Sequence, residues 1–222
     1  MPDEFKQYLM ALKTDPSKRF DLERFRDCTE SDRKECAHAM MEGVLLNSSI
    51  MVQCANDARI IQCSHSPSNS RHTNFMAHFS VYCENEMDAM FDDEPLDWTC
   101  IEDLGMFLGQ LYIREVVKNA TINKWFEHVQ KFVAERYYKA IGALLEVLKI
   151  VFDRMKLRDN KNFKGYILQL RFHRNNGQIP RKYAQWTREI LNEHVLNAAP
   201  QRGRTQSPLL APTQTTGAIR KT

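Results

Sequence analysis

The chain contains few residues that interrupt a helix. Its 222 residues include only 8 Gly and 8 Pro, and half of the prolines lie at or beyond Pro180. No stretch shows the alternation of apolar and polar residues that a half-buried strand requires. Long stretches of good helix formers without a breaker are typical of an all-α protein, so we expect one.

Other features are missing, and each absence excludes a class of protein. No run of about 18 uncharged apolar residues occurs, so we expect no membrane span. The first ten residues, MPDEFKQYLM, carry acids and no apolar core, which argues against a secretory signal. The six cysteines lack the paired spacing of a small disulfide-linked domain. We therefore predict a reducing compartment, the cytoplasm, with the nucleus as a second location.

What the chain does have is apolar residues at helical spacing. One face of the first helix carries Phe5, Tyr8, Leu9 and Leu12, and Ser31 is a candidate N-cap for the third helix, after a short one opening at Asp21. The periodicity predicts further helices at 50–62, 74–91, 98–117, 122–157, 164–171 and 183–196. Because 36 residues is long for one globular helix, we expect a break near Ala134 to Tyr138.

About ten helices separated by short breaks fit a stack of antiparallel helix pairs. Repeats of roughly 40 residues would give about five pairs in one domain over residues 1–197. A globular helical fold without repeats remains the alternative, because the sequence shows no clear internal repeat. Residues 198–222 change to Pro, Gln, Thr, Gly and Arg, and they predict a disordered basic tail or linker.

Two segments resemble a known family. The first is FKGYILQLRFHRNNGQIPR, in which a helix at 166–171, an Asn-Asn-Gly turn ending at Gly177 and an exit at Pro180-Arg181 follow one another. The second is LGMFLGQLYIREVV at 104–117, with a Gly-x-Leu-aromatic step at 109–112. Together they resemble the middle domain of eukaryotic initiation factor 4G, and the length is closest to the short single-domain adaptors of that superfamily. The usual Trp of the last turn is replaced by Gln178-Ile179.

The resemblance implies a fold and a function. The fold is a right-handed stack of HEAT-type helix pairs, an α-solenoid. The function is that of a non-catalytic adaptor or scaffold in mRNA translation, which binds translation initiation factors or a DEAD-box RNA helicase and also contacts mRNA. No cofactor is implied.

A basic segment lies near the end of the predicted domain. Between Lys156 and Arg188, nine Lys or Arg residues stand against Asp159 alone. Arginine forks suit phosphates and aromatic faces suit unpaired bases, so this segment predicts contact with RNA or with an acidic partner. The candidate contact residues are Lys164, Arg171, His173, Arg174, Arg181, Lys182 and Arg188. The alternative is a solvated basic face beside a core that includes Phe172 and Trp186.

The sharp corner inside the basic segment has a conformational explanation. Gly177 permits a left-handed residue at a helix end, and Pro180 prevents the helix from continuing. The corner by itself therefore requires no function.

An acidic segment offers the opposite charge. Between Glu84 and Asp103 there are nine acids and no Lys or Arg, which predicts a docking surface for a basic partner. The candidate contact residues are Glu84, Glu86, Asp88, Asp92, Asp93 and Glu94. The alternative is an acidic loop that keeps the chain soluble and caps the helix beginning at Trp98.

Neither metal binding nor catalysis is favoured. The Cys and His residues at positions 54, 63, 65, 72, 78 and 83 lack the spacing of a zinc knuckle, and Cys54 and Cys83 are better explained as small apolar residues. The sequence holds no phosphate-binding Gly-rich loop and no metalloprotease or serine-hydrolase motif. We predict a protein that is not an enzyme, and a single-stranded RNA-binding helical module in mRNA processing or decay as the second function.

Overall fold

The computed structural model describes residues 2–15, 17–21, 25, 28–63, 75–134 and 138–198. This part of the chain is all-α, as predicted, and it contains no strand. Its helices are α1 (Pro2–Leu12), α2 (Glu30–Leu46), α3 (Met51–Cys63), α4 (Phe75–Asp92), α5 (Trp98–Ile113), α6 (Asn119–Ala134), α7 (Tyr138–Arg158), α8 (Asn160–Asn175) and α9 (Ala184–Ala198). In these ranges no helix is long and apolar enough to cross a bilayer.

The helices form two layers, because each contacts the helix two places further along the chain. Contacts of α2 with α4 and of α4 with α6 build one layer, and contacts of α3 with α5 and of α5 with α7 build the other. The first layer continues through the rings of Phe126 and Tyr166, 4.5 Å apart, to α8. The second continues through the rings of Phe152 and Trp186, 6.3 Å apart, to α9.

The two layers give four helix pairs, with α1 packed on α2. This arrangement agrees with the predicted helical repeat, while the right-handed sense of the stack stays a prediction. The short helix expected at Asp21 and most of the expected tail, from residue 199 onward, lie outside the described residues.

Helix α5 packs closely against α6 and α7 at two glycines. Gly105 lies beside the indole of Trp125, and a Cβ added at Gly109 would be 3.2 Å from Ile150. Trp125 is fully buried and donates a hydrogen bond from Nε1 to the carbonyl oxygen of Ile101, 3.2 Å away. Because glycine has no side chain, the two glycines one helical turn apart let α6 and α7 approach the backbone of α5 closely.

Helix ends explain where the predicted boundaries were right and where they were wrong. The break expected near Ala134 to Tyr138 is confirmed, because α6 and α7, which lie on either side of the undescribed residues 135–137, pack against each other and so are not one helix. The predicted cap at Ser31 is wrong: Thr29 caps α2 in a reciprocal capping box with Asp32. The helix expected to reach Val117 ends at Ile113.

This early end of α5 has a geometric cause. Glu115 takes a left-handed conformation with φ of +66°, and the amide of Val116 donates to the carbonyl of Leu111. Together with the bond from the Glu115 amide to Tyr112, this is a Schellman-type C-cap that usually has glycine at the left-handed position. Periodicity alone could not reveal it, because a glutamate stands there.

Candidate functional site

The basic corner is built as the sequence predicts. Gly177 has φ of +66°, its amide donates to the carbonyl of Arg174, and the amide of Gln178 donates to the carbonyl of His173. These bonds close the end of α8 in a second Schellman-type cap. After Pro180 a single 3₁₀ turn, Arg181–Tyr183, leads directly into α9.

The outer side of α8 is a face of cations and exposed apolar side chains, which we call the α8 face. It consists of Lys164, Leu168, Arg171 and Phe172, in which Leu168 follows Lys164 by four residues and is followed by Arg171 and Phe172 after three and four residues. Leu168 and Phe172 are each 62 % exposed. The buried side of the same helix carries Phe163, Tyr166, Ile167 and Leu170. Phe172 therefore does not belong to the core, contrary to the alternative considered for it from the sequence.

The other predicted basic residues do not all join the α8 face. His173 is only 7 % exposed, and its Nδ1 lies 2.7 Å from Oε1 of Gln178, so this ring supports the turn from inside and is not a surface contact residue. Lys182 is 3.2 Å from the carboxylate of Glu146 on α7. Three arginines remain exposed on the last turn of α8, the 3₁₀ turn and α9, respectively: Arg174, Arg181 and Arg188.

The acids of the predicted acidic surface do not all face solvent in the same way, because two of them contact α6. Asp88 is 3.0 Å from Nζ of Lys124 and 3.4 Å from Nε2 of His128, both on α6. Glu84 accepts a hydrogen bond from Thr121 at the start of α6, at 3.3 Å. These two acids therefore join the helices of one layer to each other.

The remaining acids of the segment lie elsewhere. Glu86 is half-buried, and three acids at the end of α4 and just after it are exposed: Asp92, Asp93 and Glu94. Asp97 is the N-cap of α5 and accepts from the amides of Thr99 and Cys100, which lowers the pKa of its carboxyl. The capping alternative is thus confirmed for Asp97.

The Cys and His set stays dispersed where it is described. Cys54 and Cys83 are fully buried, as expected of small apolar residues, and burial raises the pKa of both thiols. Cys63 is exposed, and His78 lies 3.7 Å from a carboxylate oxygen of Glu30. His65 and His72 lie outside the described residues. Within the described ranges no group of three or more potential metal ligands comes together.

One buried carboxylate was missed by the sequence reasoning, which singled out no acid in an apolar setting. Asp57 on α3 is buried, and it accepts hydrogen bonds of 2.7 Å from the hydroxyl of Tyr8 and from Nε2 of Gln53. Burial raises the pKa of Asp57, and the two hydrogen bonds oppose this effect. The residue joins α1 to α3, and the arrangement is structural because its oxygens already accept from both neighbours.

The raised pKa gives a pH-dependent prediction for Asp57→Asn. The folded protein binds this proton more tightly than the unfolded chain does, so wild type loses stability as the pH rises from the ordinary Asp value of 3.8 through the raised pKa. The amide of the variant does not titrate. The stability of wild type relative to Asp57→Asn should therefore be greatest in acid and should fall toward neutral pH.

Urea denaturation of both proteins between about pH 4 and about pH 8 measures this difference. Asp153→Asn, at an exposed position on α7, is the matched control for replacing an acid by an amide. Parallel profiles for wild type and Asp57→Asn would show that burial does not perturb this carboxyl group.

No family model matches the chain, and no curated protein matches it.

Proposed function

We propose that this protein is a non-catalytic helical adaptor in mRNA translation, which docks a DEAD-box RNA helicase or another translation initiation factor on the α8 face. The resemblance of residues 163–181 and 104–117 to the middle domain of eukaryotic initiation factor 4G supports the biological setting. The mode of action is the presentation of a rigid, preformed surface. Docking on such a surface requires little ordering of the adaptor, which favours affinity.

The observation that carries the proposal is the exposure of Leu168 and Phe172 among cations. Two large apolar side chains one turn apart, each 62 % exposed, form a patch of the kind that marks a contact surface. Lys164 and Arg171 flank them on the same side of α8. A partner surface with an apolar pocket and acidic residues around it complements this arrangement in both shape and charge.

The exposed acids at the end of α4 offer a second, weaker contact. Asp92, Asp93 and Glu94 remain exposed, whereas Glu84 and Asp88 are bound to α6. We propose that Asp92, Asp93 and Glu94, and not Glu84 or Asp88, contact a basic partner.

A second candidate function, the binding of single-stranded RNA, is favoured by one specific feature. Phe172 is an exposed ring that lies next to Arg171 in sequence and two residues before exposed Arg174. A base can stack on such a ring while the arginines contact phosphates. Because this ligand would bind largely by charge, its affinity should fall steeply as salt concentration rises.

Two titrations of the full chain distinguish the two functions. One uses a purified DEAD-box helicase, and the other uses a labelled single-stranded RNA. The adaptor account predicts saturable binding of the helicase, and the double variant Lys164→Glu/Arg171→Glu should weaken it by about tenfold or more. Lys149→Glu, at an exposed position on α7, is the matched charge reversal and should have little effect. Binding of RNA but not of helicase, with strong salt dependence, would replace the adaptor with the RNA-binding module.

A further inference from the structure

A second feature of the molecule lies away from the α8 face, where the end of α5, the start of α6 and the end of α7 meet. A cavity of about 570 Å³ opens there. The residues that matter for its chemistry are Tyr112, Glu115, Lys118, Asn119, Arg154 and Arg158. We call it the Arg154 cavity. Sequence patterns could not indicate this cavity, because its residues come from the ends of three helices.

The lining of the Arg154 cavity has an excess of positive charge. Arg154 donates from Nη2 to Oε1 of Glu115 at 2.8 Å, and Nη2 of Arg158 lies 3.6 Å from the same oxygen. Lys118 adds a third cation. The lining therefore holds three cations and one carboxylate, a formal excess of two positive charges that favours an anion from solution.

Two buried donors in the cavity lining lack an acceptor. Among the described residues, Nε of Arg154 has no hydrogen-bond partner, and the O–H of Tyr112 has no acceptor, because its neighbour Arg154 is itself only a donor. Tyr112 is 1 % exposed, and the guanidinium of Arg154 lies 5.3 Å from the centre of its ring. A buried donor without an acceptor is costly, so these two groups point to a missing acceptor at this place.

The beginning of α6 adds backbone amides to the side-chain donors of the cavity. Asn119 and Ala120, the first two residues of this 16-residue helix, line the cavity. The first amides of a helix have no acceptor within the helix, and the helix dipole gives this end partial positive charge. Backbone amides at a helix start are suited to the oxygens of a phosphate group.

Tyr112 stays a donor at neutral pH. Burial raises the pKa of its hydroxyl above the ordinary value, with the positive charge of Arg154 acting in the opposite direction. The group therefore keeps its proton in the range where a phosphate monoester is a dianion.

We propose that the Arg154 cavity binds a phosphate group, either as free phosphate or as the phosphoryl group of a small monoester. A tetrahedral dianion matches the net positive charge of the lining, and its several oxygens can accept from Tyr112, Arg154, Lys118 and the amides of α6 at once. A monocarboxylate supplies fewer oxygens and half the charge. The proposal is independent of the adaptor function, because none of its residues lies on the α8 face.

Glu115 opposes the ligand in this account. Its carboxylate accepts from Arg154 in the structure described, and the nearby arginine lowers the pKa of this carboxyl, so it is ionised at neutral pH. A bound phosphate competes with it for Arg154 and Arg158. Glu115→Gln should therefore bind phosphate more tightly than wild type.

Isothermal titration of the full chain with inorganic phosphate, at an ionic strength held constant with chloride, tests the proposal. O-phosphoserine serves as the monoester in a second titration. We expect saturable binding of at least one of the two, and the better ligand tells free phosphate from a monoester. Tyr112→Phe, which removes one oxygen atom and keeps the ring, should weaken binding by about tenfold, as the loss of a hydrogen bond to a charged group predicts.

Two further variants complete the test. Lys118→Gln should also weaken binding, since it removes one of the three cations. Tyr166→Phe is the control, because the Tyr166 hydroxyl donates to Asn123, at 3.1 Å, and is not part of the cavity. Lack of binding by both ligands, or binding that Tyr112→Phe and Lys118→Gln leave unchanged, would overturn the proposal. Melting curves in chloride buffer establish that each variant is folded before titration.

Discussion

Gly105→Ala should lower the stability of the protein by about 3 kcal/mol, near the upper end of what an overpacked core normally costs. The added methyl group would overlap the indole of Trp125 and come within 2.8 Å of Val147 on α7. The indole cannot move aside freely, because it is fully buried and bound to the carbonyl of Ile101. In a chain of this length the loss corresponds to a fall in melting temperature of roughly 6–12 °C.

Gly142→Ala is the matched control for this experiment. Gly142 lies inside α7, and among the described residues no atom beyond its chain neighbours and the backbone of the same helix turns lies within 4 Å of the place where its Cβ would stand. Alanine should raise stability there by about 0.5–1 kcal/mol, because it restricts the unfolded chain and favours the helix. Thermal unfolding followed by circular dichroism measures both variants. If Gly105→Ala melted at the wild-type temperature, the close approach of α5 to Trp125 would be wrong.

Phe172→Ala should weaken the binding of the proposed helicase partner by about 30-fold, which corresponds to about 2 kcal/mol for a central aromatic contact. Because the ring is 62 % exposed, its removal should change the stability of the free protein by less than about 0.5 kcal/mol. Loss of affinity without loss of stability is the result expected of a contact residue. Titration calorimetry and urea denaturation on the same preparation give the two numbers.

Tyr138→Ala provides the comparison for Phe172→Ala. Tyr138 is an aromatic residue at the first position of α7 and is 69 % exposed. The α8 face does not include it, so its removal should leave helicase affinity within about twofold of wild type, in line with the small effect of most truncations away from a hot spot. Equal effects of the two substitutions would mean that exposed aromatic area in general, rather than the α8 face, determines binding.

The features that the sequence predicted correctly depend on residues close to one another in the chain. The first helix follows from Phe5, Tyr8, Leu9 and Leu12, whose spacing places all four on one side, and all four are buried. The corner after α8 follows from Gly177 and Pro180, whose backbone preferences act locally. The exposure of Leu168 and Phe172 could also have been found, because helical spacing sets them opposite the buried Phe163, Ile167 and Leu170.

The features that the sequence could not predict depend on residues distant from one another in the chain. Asp57 is buried and accepts a hydrogen bond from Tyr8, 49 positions away, and the sequence near either residue does not predict this contact. Asp88 and Glu84 form part of a run of acids that suggests an open surface, yet their partners on α6 are 36 to 40 residues further on. The Arg154 cavity likewise requires three helices to be packed before its residues come together.

Site-specific photo-crosslinking tests the central claim most directly, namely that a partner docks on the α8 face. A benzophenone amino acid is placed at position 172 in one sample and at position 138 in another, and each 222-residue chain is irradiated with the purified DEAD-box helicase. The account predicts a covalent adduct from position 172 and none from position 138. An adduct from position 138 alone, or helicase binding of unchanged affinity without any adduct from position 172, would contradict it.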